Sequence, residues 1–181
     1  MADHTIPARP TIEELDNWFR NARVYTYGNP TQQSLKLLRH LGKLCESQQK
    51  AAQLDVAKSM GEMLTTAIGL LGFLPYDKDV ISESFDKFLP KTFNRHKQKI
   101  TLEIARHTVQ FSEEVISCFE GGGGPNAGSM LAMRVDLLIY QLRILARNSG
   151  LEFDRVFYNA AQSLLAKKGQ MNELGLFEPA N

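Results

Sequence analysis

The feature that most constrains the fold is an internal repeat at an offset of 74 residues. Residues 36–46 align with 110–120, and residues 60–64 align with 134–138 without a gap. The second unit then has one extra residue, so 79–81 aligns with 154–156 at an offset of 75. The identities are few and helical periodicity alone would produce part of the match, but the same helix–loop–helix–turn–helix order recurs. Because neither unit can close a core alone, we expect the two to pack together as one pseudo-symmetric bundle.

Apolar residues follow helical spacing through most of the chain, and no segment shows the alternation of a strand. Thr11 and Glu14 have the spacing of a capping box, and Gly28 and Pro30 end the first helix. Further helices are predicted over about 31–45, 56–71, 80–89, 92–120, 129–149 and 153–168, with Gly150 as a C-cap. The prediction is one all-α domain over 1–181: repeat one at about 31–97, repeat two at about 98–170, and a flexible tail at 171–181.

Composition excludes several functional classes. Lys and Arg number 21 against 20 Asp and Glu, and a formal charge of +1 argues against nucleic acid or an anionic membrane held by bulk charge. No apolar run reaches the roughly 18 residues of a membrane span, and the N-terminus lacks a signal-peptide stretch. Cys45 and Cys118 make no disulfide framework. We therefore expect a cytoplasmic protein with no membrane partner.

One candidate site is the acidic set Glu113, Glu114 and Asp136 on two successive helices. Carboxylates that converge between helices provide the oxygen ligands that Mg²⁺ prefers. The alternative is solvated glutamates and a salt bridge from Asp136 to a basic neighbour: Arg134, Arg143 or His107. From spacing alone the salt bridge is the better-supported interpretation, because an unpaired buried carboxylate is costly.

Two basic sets are candidates for contacts with phosphate oxygens. The first consists of Lys91, Asn94, Arg95 and Lys97, and the second of Arg39, His40 and Lys43. A solvated helix face is the alternative for such runs, and a structural role is the alternative for the histidine. The glycine run GGGGPNAGS lacks the lysine of a phosphate loop, so it is interpreted as a flexible connection between helices.

Four segments carry a resemblance to a known family: TIEELDNWF, LKLLRHLGKLCE, MGEMLTTAIGLLG and GLEFDRVFYNAAQSLLAKK. Through them the chain resembles the MazG-like, all-α nucleoside triphosphate pyrophosphatases over about residues 11–170. Members of this family are helical bundles that use Mg²⁺ to hydrolyse nucleotides to the monophosphate and pyrophosphate. Their signature is E-E-x-x-E on one helix and E-x-x-D on the next. The resemblance implies a fused tandem, in which two repeats replace two protomers.

The signature positions differ between the repeats. In repeat one they hold Arg39, His40 and Lys43, then Ser59 and Glu62. In repeat two they hold Glu113, Glu114 and Ser117, then Met133 and Asp136. The family's basic cluster is matched by Lys91, Asn94 and Lys97, and more weakly by Lys167 and Lys168.

These positions suggest a composite site. Glu113, Glu114 and Asp136 would be catalytic and, with Glu62, would hold Mg²⁺ that activates water against a phosphate. The basic residues of the other half would bind the substrate. The alternative is a catalytically inactive protein that binds nucleotides or a protein partner, and a purely structural adaptor is a third possibility. A homodimer through bundle faces is compatible with either function.

Overall fold

The computed structural model describes residues 9–89, 96–122, 124 and 126–180. Eight α-helices lie in this part of the chain: α1 Ile12–Asn21, α2 Val24–Tyr27, α3 Pro30–Gln49, α4 Gln53–Leu71, α5 Lys78–Asp86, α6 Lys97–Ser117, α7 Ala127–Asn148 and α8 Phe153–Leu165. A π-helical turn, Cys118–Gly122, follows α6, and a hairpin of β1 Gly169–Met171 and β2 Phe177–Pro179 follows α8. The prediction of an all-α fold is confirmed. None of the helices described is long and apolar enough to cross a membrane.

Local sequence signals explain several helix ends. The predicted capping box is present: the Glu14 amide donates to Oγ1 of Thr11 (3.0 Å), and the Thr11 amide donates to Oε2 of Glu14 (2.7 Å). Asn29 caps α3 through its side-chain oxygen, one residue before Pro30. Gly150 follows α7 with a φ of 68°, a conformation that glycine adopts without strain, so its predicted capping role is confirmed.

The C-terminal segment forms a hairpin, although the sequence predicts a loose tail and no strand. β1 pairs antiparallel with β2, which places Met171 opposite Phe177. The Met171 amide donates to the carbonyl of Ala22 (2.7 Å). Nε1 of Trp18 donates to the carbonyl of Lys167 (3.1 Å), and its ring stacks on Phe177. Three-residue strands are too short to show the alternating pattern of a strand. The hairpin is instead stabilised by its contacts with Trp18 of α1 and with Ala22, the residue that ends α1.

The helices of the two predicted repeats pack reciprocally. α3 lies against α4, α6 lies against α7, and the two pairs meet through α3–α6 and α4–α7 contacts. The third helix of each unit crosses to the other unit, because α5 packs on α7 and α8 packs on α4. Leu37 and Phe111, equivalent in the repeat alignment, are both fully buried. Each half therefore completes its apolar core with a helix from the other half.

The crossing of α8 over α4 depends on a glycine. A Cβ at Gly61 would lie 2.5 Å from Cβ of Ala160 and 3.0 Å from the carbonyl oxygen of Val156. Both neighbours belong to α8, and one of them is backbone. No larger side chain fits here unless the two helices separate.

We expect Gly61→Ala to destabilise the protein by about 1–3 kcal/mol, because the added methyl group pushes α8 away from α4. Gly42→Ala is the matched control, since nothing lies within 4 Å of its Cβ position. The control should be neutral or stabilising by up to about 1 kcal/mol, the helix-propensity gain of alanine. Urea unfolding measures both, and equal effects of the two substitutions would contradict the close crossing.

A buried carboxylate ties α1 to the start of α5. Asp16 is 1% exposed, and its Oδ2 lies 2.7 Å from Nζ of Lys78 and 3.0 Å from Nε of Arg20. Burial alone would raise the pKa of Asp16, but the contacts with Lys78 and Arg20 outweigh burial, so the pKa lies below its ordinary value.

We expect Asp16→Asn to cost about 2 kcal/mol, because it removes the charge that Lys78 and Arg20 neutralise. The depressed pKa also fixes the sign of the pH dependence. The stabilisation from Asp16 is present above its ordinary pKa of 3.8 and is lost as the pH falls through the lower folded value. Urea unfolding at several acidic pH values should therefore show that the free energy of unfolding falls less steeply with decreasing pH in the variant than in the wild type. Asp55→Asn, at an exposed position, should leave this pH dependence unchanged.

Candidate functional site

A polar cleft of about 240 Å³ lies between α3 and α4. Its lining consists of charged and hydroxyl side chains: Lys43, Glu46, Ser47, Lys50, Asp55, Lys58, Ser59 and Glu62. On each helix these positions are three or four residues apart, which places them on one helix face. The helical spacing in the sequence thus gathers the polar residues of both helices into one cleft.

The cations of the cleft are unequally neutralised. Lys50 forms an ion pair with Glu46 one turn before it on α3. Nζ of Lys43 lies 3.7 Å from Oε2 of Glu62, a looser contact. Lys58 is exposed, and it forms no ion pair with any residue in the described part of the chain. Among the described residues of the cleft, Lys58 is therefore the cation without an ion pair, and Asp55 is the carboxylate without one.

Ser59 lines the same cleft. The residue is 4% exposed, and no hydrogen bond joins its hydroxyl to any other described residue. A hydroxyl can donate one hydrogen bond and accept others. Buried polar side chains are normally hydrogen-bonded, so this hydroxyl is available to a ligand or a water molecule.

His40 lies in the interface between α3 and α4. It is 4% exposed, and its Nδ1 lies 2.8 Å from Oε2 of Glu62, although neither ring nitrogen is aligned for a hydrogen bond with a described residue. Burial, opposed by Glu62 and reinforced by Lys36, Lys43 and Arg39, lowers the pKa of His40 to about 4. The imidazole is therefore neutral at physiological pH.

The structure brings four sequence-predicted site residues to this region. His40 and Lys43, predicted to contact phosphate, both meet Glu62, which was predicted to bind metal. Arg39 is exposed on the adjoining surface of α3 and acts on His40 electrostatically. Lys58 is not among the sequence-predicted site residues, although its helical spacing from Asp55 and Glu62 indicated that it lies on the same polar face of α4.

The predicted acidic set of repeat two is divided between separate contacts. Oε1 of Glu114 accepts hydrogen bonds from Nη2 (2.7 Å) and Nε (2.9 Å) of Arg134. Oδ2 of Asp136 lies 2.7 Å from Nζ of Lys87. Glu113 is exposed and forms no ion pair with a described residue. Within the ranges described, no three His, Cys, Asp or Glu side chains form a group that could hold a metal ion.

The ion pair of Asp136 crosses between the halves of the bundle. The partners predicted from the sequence were Arg134, Arg143 and His107, whereas the observed partner, Lys87, is 49 positions away. Lys87 reaches Asp136 because α5 crosses to α7. Nη1 of Arg143 also donates to the carbonyls of Ser84 (3.2 Å) and Lys87 (2.6 Å), which fixes the end of α5. A basic residue of the predicted first repeat thus contacts an acidic residue of the predicted second repeat.

The remaining predicted phosphate contacts belong to one basic set. Lys91 and Asn94 lie outside the described residues. Lys97, the first residue of α6, is exposed and forms no ion pair with any residue of the described ranges. For this set, the prediction of phosphate binding stays a prediction.

No protein-family model matches the chain, and no curated protein or solved structure matches it either.

The burial of neutral His40 predicts a loss of stability in mild acid. The unfolded chain takes up a proton near the ordinary pKa of 6.5, whereas the folded protein resists until about pH 4, so stability falls as the pH drops between them. From pH 7.5 to 5, His40 should account for a loss of about 2 kcal/mol. Urea unfolding at both pH values should show a smaller loss in His40→Asn than in the wild type. His96→Asn, at an exposed position, should keep the full loss.

Proposed function

We propose that this chain is a MazG-like nucleotide-binding protein without pyrophosphohydrolase activity. It holds the phosphate groups of its ligand in the cleft between α3 and α4, with protein cations in place of Mg²⁺. The observation that carries this proposal is the lining of the cleft, in which the unpaired ammonium of Lys58 and the free hydroxyl of Ser59 stand beside Lys43.

The chemistry of these groups suits a phosphate. Lys58 and Lys43 supply charge-assisted hydrogen bonds, which are about twice as strong as neutral ones. Ser59 adds a directional donor from a buried position. In the family that the sequence resembles, the position of Ser59 belongs to the acidic motif. A carboxylate at this position would favour a cation, whereas the hydroxyl of Ser59 favours an anion.

The contacts of the carboxylates argue against the hydrolytic alternative. Mg²⁺ takes several oxygen ligands in near-octahedral geometry. Glu114, Asp136 and Glu62 each contact a cationic side chain, so a metal ion at any of them would have to displace that cation. The competition lowers metal affinity and leaves phosphate binding as the better-supported function.

Calorimetric titration with a nucleoside triphosphate should therefore show binding that does not require Mg²⁺. Lys58→Gln should weaken this binding about tenfold, or ~1.4 kcal/mol, because it removes the one unpaired cation of the cleft. Lys99→Gln, at an exposed position on α6, is the matched control and should change nothing. Binding that appears only with Mg²⁺, or pyrophosphate release that is lost in Asp136→Asn, would instead establish the hydrolase.

Glu62→Gln separates the two functions by the sign of its effect. If Glu62 repels the phosphate and competes for Lys43, its neutralisation should strengthen binding, by about fivefold for two charges near 4 Å in a solvated cleft. If Glu62 is a metal ligand, the same change should abolish Mg²⁺-dependent binding. The two titrations, with and without Mg²⁺, distinguish these outcomes directly.

A further inference from the structure

The four long helices α3, α4, α7 and α6 form a bundle that is covered on one side. The α4–α7 side carries the other helices, because α1 and α8 pack on α4 and α5 packs on α7. The main contacts of α3 are with α4 and α6, and those of α6 are with α3, α7 and the π-helical turn. In the part of the chain that the structure describes, the outer surface of α3 and α6 is therefore left open.

Apolar side chains recur along this open surface. Leu102 is 72% exposed and Leu35 is 61% exposed, and Val109 is exposed as well. The α3–α6 face is defined by the apolar residues that share this surface: Leu35, Leu38, Cys45, Leu102, Ala105, Val109 and Ile116. Within each helix they are three, four or seven residues apart, which is the spacing of a seam that packs against another helix. The core is built from different positions, such as Leu37 and Phe111.

Opposite charges flank the two edges of the α3–α6 face. The helices run antiparallel, because Oγ1 of Thr101, near the start of α6, donates to Oε1 of Gln48, near the end of α3 (2.6 Å). Arg39 and Glu113 therefore lie in the same direction from this contact, at about 14 Å and 18 Å along the helix axes. At 3.6 residues per turn, Arg39 lies on the edge of α3 away from α6, and Glu113 lies on the edge of α6 away from α3.

Both edge charges lack a partner within the chain. Arg39 and Glu113 are exposed, and neither forms an ion pair with any residue in the described ranges. A twofold axis parallel to the helices would place α3 of one copy over α6 of a second copy, and every contact would occur twice. Arg39 would then face Glu113 of the partner subunit at both edges of the interface.

The α3–α6 face is large enough for such an interface. Because α3 has 20 residues and α6 has 21, the two helices present a surface of about 30 Å by 20 Å, or roughly 600 Å² per copy. Two copies would together bury about 1,200 Å², which is the lower end of the range for stable, specific interfaces. The charges at the edges would fix the orientation of the second copy, and the apolar residues between them would be buried.

From these observations we propose that the α3–α6 face is the interface of a homodimer, in which α3 of each copy packs on α6 of the other. The partner is a second copy because the face is complementary to itself: its apolar seams meet each other, and its basic edge meets its acidic edge. This inference is independent of the proposed function, since the cleft lies between α3 and α4, on the side of α3 away from α6.

Sedimentation equilibrium over about 1–100 μM protein should show a monomer–dimer equilibrium for the wild type. Leu102→Glu should raise the dissociation constant of the dimer by about tenfold or more, because the interface would then bury two unpaired charges. Leu54→Glu is the matched control: Leu54 is 87% exposed on α4, outside the α3–α6 face, so this change should leave the equilibrium as it is. A wild type that stays monomeric at every concentration, or a dimer that Leu102→Glu does not weaken, would overturn the proposal.

Exchange of the edge charges tests how the two copies are arranged. Arg39→Glu and Glu113→Arg should each raise the dissociation constant about tenfold at low salt, because like charges then meet at both edges. A mixture of the two variants should form heterodimers with nearly wild-type affinity, since opposite charges meet again at both edges. The double variant Arg39→Glu/Glu113→Arg should recover the homodimer for the same reason. Arg155→Glu, at an exposed position on α8, is the control and should dimerise like the wild type.

The charge variants can also contradict the proposal. If Arg39→Glu and Glu113→Arg dimerise as the wild type does, the two edges do not meet. If both variants lose the dimer and neither their mixture nor the double variant recovers it, α3 does not pack on α6 of the other copy. Either result would show that the proposed interface is wrong.

Discussion

The rest of the structure depends on the exchange of helices between the two halves of the bundle. α5 covers α7 and α8 covers α4, so each apolar surface is closed by a helix from the other half. The exchange also carries polar residues across the bundle. It brings Lys87 to Asp136, and the charge of Lys167, just after α8, is among the causes that lower the pKa of Lys36. The ion pair between Lys87 and Asp136 is therefore a consequence of how the core is closed.

The fold was largely predictable because its signals are local. Helical periodicity located the long helices, and the capping box at Thr11 and the glycine at 150 gave accurate ends. The hairpin was not predictable, because its short strands are held by tertiary contacts with Trp18 and Ala22 rather than by their own pattern. The repeat alignment predicted joint packing of two units, and the reciprocal helix contacts are compatible with it.

The candidate site was less predictable, for a physical reason. Residue type and spacing placed His40, Lys43 and Glu62 on facing helices. They did not predict the distances between these side chains. Ion pairs depend on the positions of long side chains in three dimensions. The partners of Glu114 and Asp136, which are Arg134 and Lys87, are 20 and 49 positions away. Sequence alone therefore indicated which residues carry charge, and only the structure indicated which charges remain free.

The crossing of α8 over α4 has a consequence for the synthesis of the protein. Gly61 is synthesised before the helix that packs on it, which ends at Leu165. Until that helix has left the ribosome, the apolar surface of α4 lacks its cover, and a nascent chain with an open core is prone to aggregation. We therefore expect the first half to complete its core only after α8 has been synthesised.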